Sequence, residues 1–152
     1  MRIGLDETGS IDVEYGEDKR YVEFGAFLKL DVNYSFARCL DALQMFDDVA
    51  TGRSAREVYS AEVHQAVIEK PTVRIQHLFL DDRRAEVPFE AALKALEEWA
   101  VLLFARPLSP GTVQVYRPDL SRIDAALHLW EATWERRHPY RGRLGIPAQV
   151  AE

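Results

Sequence analysis

The chain has 152 residues, 47% of them hydrophobic and 29% charged, with a formal net charge of −6. That length suits one domain with a real core, and no apolar run is long enough to span a bilayer. The single cysteine, Cys39, rules out an intrachain disulfide and a cysteine-built zinc site, and the acidic total argues against unselective coating of nucleic acid.

The opening MRIGLDE lacks the apolar stretch of a secretory leader, so the expectation is a cytoplasmic protein with no membrane partner. Arg2–Asp6 reads as a short strand with Ile3 and Leu5 on one face. Thr8-Gly9-Ser10 is a turn, and Ile11–Tyr15 alternates apolar residues with acids, the pattern of a half-buried strand. Gly16-Glu17-Asp18 signals a hairpin. Arg20–Leu30, with Val22, Phe24, Ala26 and Leu28 on one face, reads as the third strand of an antiparallel meander.

The apolar period then lengthens. Asp31 or Asn33 can cap a helix whose face is Phe36, Leu40, Leu43 and Phe46–Val49, ended by Gly52. Ser54–Glu57 has capping-box form. Ala55, Tyr59, Val63 and Ala66 keep helical spacing, which predicts a helix over 55–69, with strand as the alternative because of its β-branched content. Val73–Leu80 reads as a strand followed at once by Asp81-Asp82. Pro88 suits a first helical turn, and Phe89, Leu93, Leu96, Ala100 and Leu103 share one face of a helix. Thr112–Tyr116 reads as a short strand. Asp119 or Ser121 caps a last helix with Ile123, Leu127, Trp130 and Trp134 on one side, ended by His138-Pro139. The order β-β-β-α-(α)-β-α-β-α predicts an α/β fold, a mixed sheet covered by helices. It forms one domain over 1–139 and an irregular basic tail over 140–152.

On that order the acids fall at strand ends. Asp6 ends the first strand, and Asp81 and Asp82 end the fourth, where ligands sit in open α/β sheets. Were those strands adjacent and parallel, Asp6 and Asp81 would meet and need a cation between them. Oxygen ligands on a rigid sheet suit Mg²⁺ or Mn²⁺, and two such ions can hold the attacking and leaving oxygens of a phosphodiester.

Asp6-Glu7-Thr8-Gly9, followed by Tyr21-Val22-Glu23-Phe24-Gly25-Ala26, resembles bacterial proteins of the RNase H-like superfamily. These open with an apolar strand and D-E-S/T-G, and their late helix carries L-Q-L-A-D. Leu127-His128-Leu129-Trp130-Glu131 stands in that place here, with Glu131 for the aspartate and Trp130 for a small residue. The resemblance implies an RNase H-like domain and a two-metal, Mg- or Mn-dependent nuclease. It assigns Asp6 as the bridging ligand, Asp81 or Asp82 as the second acid, and Glu131 as the third, with Asp119 or Asp124 as substitutes. Glu62 or Glu57 on the second helix, or Asp41 or Asp47 on the first, would supply a fourth. The altered late motif makes an inactive relative the alternative.

Arg136, Arg137, Arg141 and Arg143 would grip nucleic-acid phosphates or pair with the acidic body of a neighbouring subunit. His64, His77, His128 and His138 lack paired metal spacing and read as structural or exposed. A second functional class is a small acidic inhibitor or immunity-type protein that meets a basic partner through Asp12, Glu14, Glu17 and Asp18. A third is a non-catalytic subunit that docks through its tail.

Overall fold

The computed structural model describes residues 1–152. Its order is β1 (Arg2–Leu5), β2 (Ile11–Glu14), α1 (Tyr21–Phe27), a π turn (Leu28–Val32), α2 (Phe36–Ala50), β3 (Arg56–Ser60), β4 (His64–Glu69), β5 (Thr72–His77), β6 (Arg84–Pro88), α3 (Phe89–Phe104) and α4 (Arg122–Trp134). The fold is mixed α/β, with β1 and β2 as one antiparallel pair and β3-β4-β5-β6 as a separate antiparallel sheet. No helix is long and apolar enough to cross a membrane.

Three expected elements differ. Arg20–Leu30 is helical, not a strand. Phe24 and Leu28 of the alternating set also fit a helical face, since together with Phe27 and Val32 they are buried at helical spacing, while Val22 is left exposed. The stretch 55–69 is β3 and β4, as its β-branched residues allowed, with Tyr59 opposite Ala66. Thr112–Tyr116 joins no sheet, whereas Arg84–Pro88 does, so the meander is built late in the chain rather than at its start. The expected order of a three-strand opening meander and alternating strands is therefore not the one formed.

The core lies between one face of the four-stranded sheet and the helices. Ala66, Ile68, Val73, Ile75 and Val87 meet Phe24, Phe27, Leu43, Phe46, Phe89 and Leu96, all buried. Ser35, rather than Asp31 or Asn33, caps α2 by accepting from the Arg38 N–H at 3.1 Å. Ser121 caps α4 by accepting from the Asp124 N–H at 3.3 Å. The β1–β2 hairpin rests on α3, and Arg106 donates to the Gly9 carbonyl at 2.7 Å. Residues 140–152 contain no helix or strand, but Tyr140 and Ile146 are buried in the core.

Candidate functional site

Asp6 closes the β1–β2 hairpin. Its Oδ1 accepts from Thr8 N–H at 2.9 Å, Thr8 Oγ1 at 2.7 Å and Ser10 N–H at 3.0 Å. Those bonds, the Thr8 hydroxyl foremost, hold its carboxyl below the usual carboxylate range. The acid thus orders its own turn, as aspartates commonly do. Asp81 and Asp82 are exposed in the β5–β6 connection, in the other sheet, and β1 pairs with β2 alone. The parallel pairing that would bring Asp6 to Asp81 does not form.

Glu131 is engaged elsewhere. It accepts from the His138 N–H at 2.9 Å and from Arg141 Nε at 2.6 Å. Glu62 lies in the β3–β4 turn, paired with Arg38 at 2.9 Å. Glu57 lies on β3 rather than on a helix. Asp41 accepts from Trp130 Nε1 at 2.9 Å, Asp119 pairs with Arg117, and Asp124 accepts from the Ser121 hydroxyl at 2.6 Å. Asp47 sits beside Asp48, and burial raises its carboxyl. No group of three or more His, Cys, Asp or Glu side chains is arranged to hold a metal ion.

The basic tract is a seam within the chain. Arg136 donates to both Asp48 oxygens at 3.2 Å, Arg141 pairs with Glu131, and Arg143 pairs with Glu97 at 3.2 Å. Arg137 is exposed. Three of the four arginines thus meet acids of their own chain, where phosphates or a neighbouring subunit had been expected. Part of the acidic N-terminal surface is neutralised in the same way, since Lys29 pairs with Asp12 at 2.6 Å and Arg20 with Asp18 at 2.7 Å.

The densest polar cluster centres on His64. Its Nδ1 lies 2.7 Å from Asp31 Oδ2, and its Nε2 lies 2.7 Å from Glu23 Oε2. His64 and Asp31 are fully buried, and Glu23 nearly so. Asp31 Oδ1 also accepts the Val63 N–H at 2.9 Å, and Arg83 Nε donates to Glu23 Oε1. Burial pushes the Glu23 carboxyl up. The His64 and Arg83 hydrogen bonds more than offset that and hold it below its ordinary value. Every polar atom of the cluster is satisfied, and both ring nitrogens are occupied. A general base needs a nitrogen within reach of substrate. His64 instead works as a brace joining α1, the π turn, β4 and the β5–β6 connection.

Its signal lay in the strand pattern. His64, Ala66 and Ile68 share the buried face of β4, and a core-facing histidine needs hydrogen-bond partners. Glu23 and Asp31 are eight residues apart, just over two α-helical turns. The wider π turn rotates Asp31 back toward the ring.

The brace supports an exposed tip. Leu78, Phe79 and Leu80, between β5 and β6, are 45%, 74% and 47% exposed. Their backbone is fixed: His77 Nδ1 accepts the N–H groups of Phe79 and Leu80, each at 3.1 Å. Leu78 N–H reaches the Val63 carbonyl at 2.8 Å, and Arg83 N–H reaches the Leu80 carbonyl at 3.1 Å. The His77 ring stands edge-on to His64, with centroids 5.1 Å apart. Three adjacent apolar side chains in water, on a turn this well tied, have the character of a docking element. Exposed Glu62, Asp81 and Asp82 surround them in sequence and in the adjoining turn. No protein-family model matches the chain, and comparison with curated proteins and with solved structures gave no significant match.

Proposed function

We propose that this chain is a protein-binding module that inserts the Leu78-Phe79-Leu80 tip into an apolar pocket of a basic partner. The reading belongs to the acidic-inhibitor class rather than the nuclease class. The observation that carries it is the 74% exposure of Phe79 on a backbone held by His77. A rigid aromatic anchor loses little entropy on docking. The nearby acids Asp81 and Asp82 would meet cations around the pocket, and the net charge of −6 would speed encounter with a basic protein.

The test places a photo-crosslinking residue at position 79 in the producing cells, with position 101 on α3 as control. The expected result is one discrete adduct at 79 only. With the adducted partner purified, Phe79→Ala should weaken binding by about 2–4 kcal/mol, the range of a hot-spot residue. Asp81→Lys with Asp82→Lys should slow association at low salt. An unchanged affinity for Phe79→Ala would refute the proposal. The nuclease expectation has its own readout, metal-dependent cleavage of RNA, DNA or hybrid that Asp6→Asn abolishes.

A further inference from the structure

The sequence gives Thr112–Tyr116 a strand pattern, yet the segment joins neither sheet. No main-chain N–H or C=O of Val113–Tyr116 bonds to another main-chain group. Around Gln114 the side chains nonetheless alternate. Gln114 turns inward and donates to the Arg117 and Leu120 carbonyls at 2.8 and 2.9 Å. Val113 and Val115 turn outward, 79% and 88% exposed, more than any other large apolar side chain. Gly111 and Arg117, both at positive φ, bound the segment at its two ends. An unpaired run of this kind is a template for another strand.

We propose that Thr112–Tyr116 pairs antiparallel with the same segment of a second copy, about a two-fold axis at Gln114. The occupant follows from charge. Residues 107–116 carry no charged side chain in a chain that is 29% charged. A charged partner would find no counter-charge on the segment itself; the cations beside it, Arg106, Arg117 and Arg122, already bond to the Gly9, Glu152 and Tyr34 carbonyls of their own chain. Two chains of net charge −6 repel over most of their surfaces, and an uncharged segment is where they can meet. An isologous contact also needs a self-complementary patch. Antiparallel pairing centred on Gln114 sets Val113 of each copy opposite Val115 of the other, an apolar cross-strand pair. Leu108, Pro118, Leu120 and Ile123 line a groove beside the segment, with Arg106 and Arg122 also on its wall, about 380 Å³ in volume, and its apolar part extends the contact.

Sedimentation velocity over a concentration series tests this on the whole chain. The expected result is a reversible shift from the 17.4 kDa monomer to twice that mass. Val113→Lys with Val115→Lys should abolish the shift, and Val115→Thr should keep it. Cys39 is buried, so introduced thiols report register. A mixture of Val113→Cys and Val115→Cys chains should form a disulfide-linked dimer several-fold faster than either alone. The proposal is overturned by a wild type that stays monomeric up to about 1 mM, where association is worth only about 4 kcal/mol. It is equally overturned by a dimer that survives the double lysine variant, or by cross-linking as fast in the single-cysteine chains.

Discussion

Replacing His64 with alanine should be among the most damaging single changes in this chain. The ring supplies the hydrogen bonds at 2.7 Å to Glu23 and Asp31, in a site closed to water. Without it Glu23 keeps only Arg83, and Asp31 keeps only the Val63 N–H. Leaving a buried polar group without its partner costs about 1–3 kcal/mol, more when it is charged, and two carboxylates are left so, which brings the loss to about 4 kcal/mol against a whole-domain stability of about 5–15 kcal/mol. With a urea slope of about 2 kcal/mol/M, a loss of about 4 kcal/mol moves the unfolding midpoint down by about 2 M. Trp99, buried with its Nε1–H donating to the Asn33 carbonyl at 3.0 Å, gives the fluorescence signal. His64→Ala should also be non-additive with Asp31→Asn, by about 0.5–3 kcal/mol, because the second change removes the group the first one orphans. A midpoint shift below about 0.5 M, or strict additivity, would refute the view of His64 as a brace.

Stability should fall in two stages as pH drops. Burial lowers the His138 pKa although the Leu40 carbonyl opposes it, so its contribution is complete above about 6.5 and is lost as pH falls through the lower folded value. Glu23, Glu131 and Asp48 are also depressed in the fold, and their contribution is complete only above about 4.3 and vanishes in acid. Asp41 and Asp47 are raised by burial and work the other way, softening the second stage. Urea titrations from pH 8 to pH 3 would show both stages, and a flat profile between pH 7 and pH 5 would contradict the first. Gly25→Ala should destabilise by about 1–3 kcal/mol, because a Cβ there would strike the Tyr15 ring. Tyr15→Ala in the same chain should recover part of the loss, and thermal melts of the two variants would decide it.

The three long helices were legible because their apolar residues repeat at helical spacing and polar caps precede α2 and α4. Residues 21–32 were not, because Val22-Phe24-Ala26-Leu28 satisfies the period of a strand while Phe24-Phe27-Leu28 satisfies that of a helix. Packing against β5 and β6 decided between them. Of the site, the exposed Asp81-Asp82 turn was visible, but its apolar neighbours were read as the end of a strand. The His64 cluster draws on three separate stretches of chain, the α1–π-turn segment, β4 and the β5–β6 connection, and its signals, a core-facing histidine and two acids eight residues apart, lie in elements whose packing the sequence does not show. The aspartate that opened the sequence pattern, Asp6, was conspicuous for its place, yet its hydrogen bonds are all spent on its own turn.

The resting place of the first hairpin bears on how the protein is made. The β1–β2 pair leans on α3, and Arg106 ties down Gly9, so the hairpin waits for a helix nearly a hundred positions further along the chain. Tyr140 and Ile146 complete the core later still. Contacts of such long sequence separation slow folding, and a nascent chain must carry its apolar β1–β2 face uncovered until α3 has emerged. Asp12 and Glu14, which alternate with the buried Ile11 and Val13 on β2, leave only one face of the hairpin apolar through the interval, and so limit the surface open to wrong contacts.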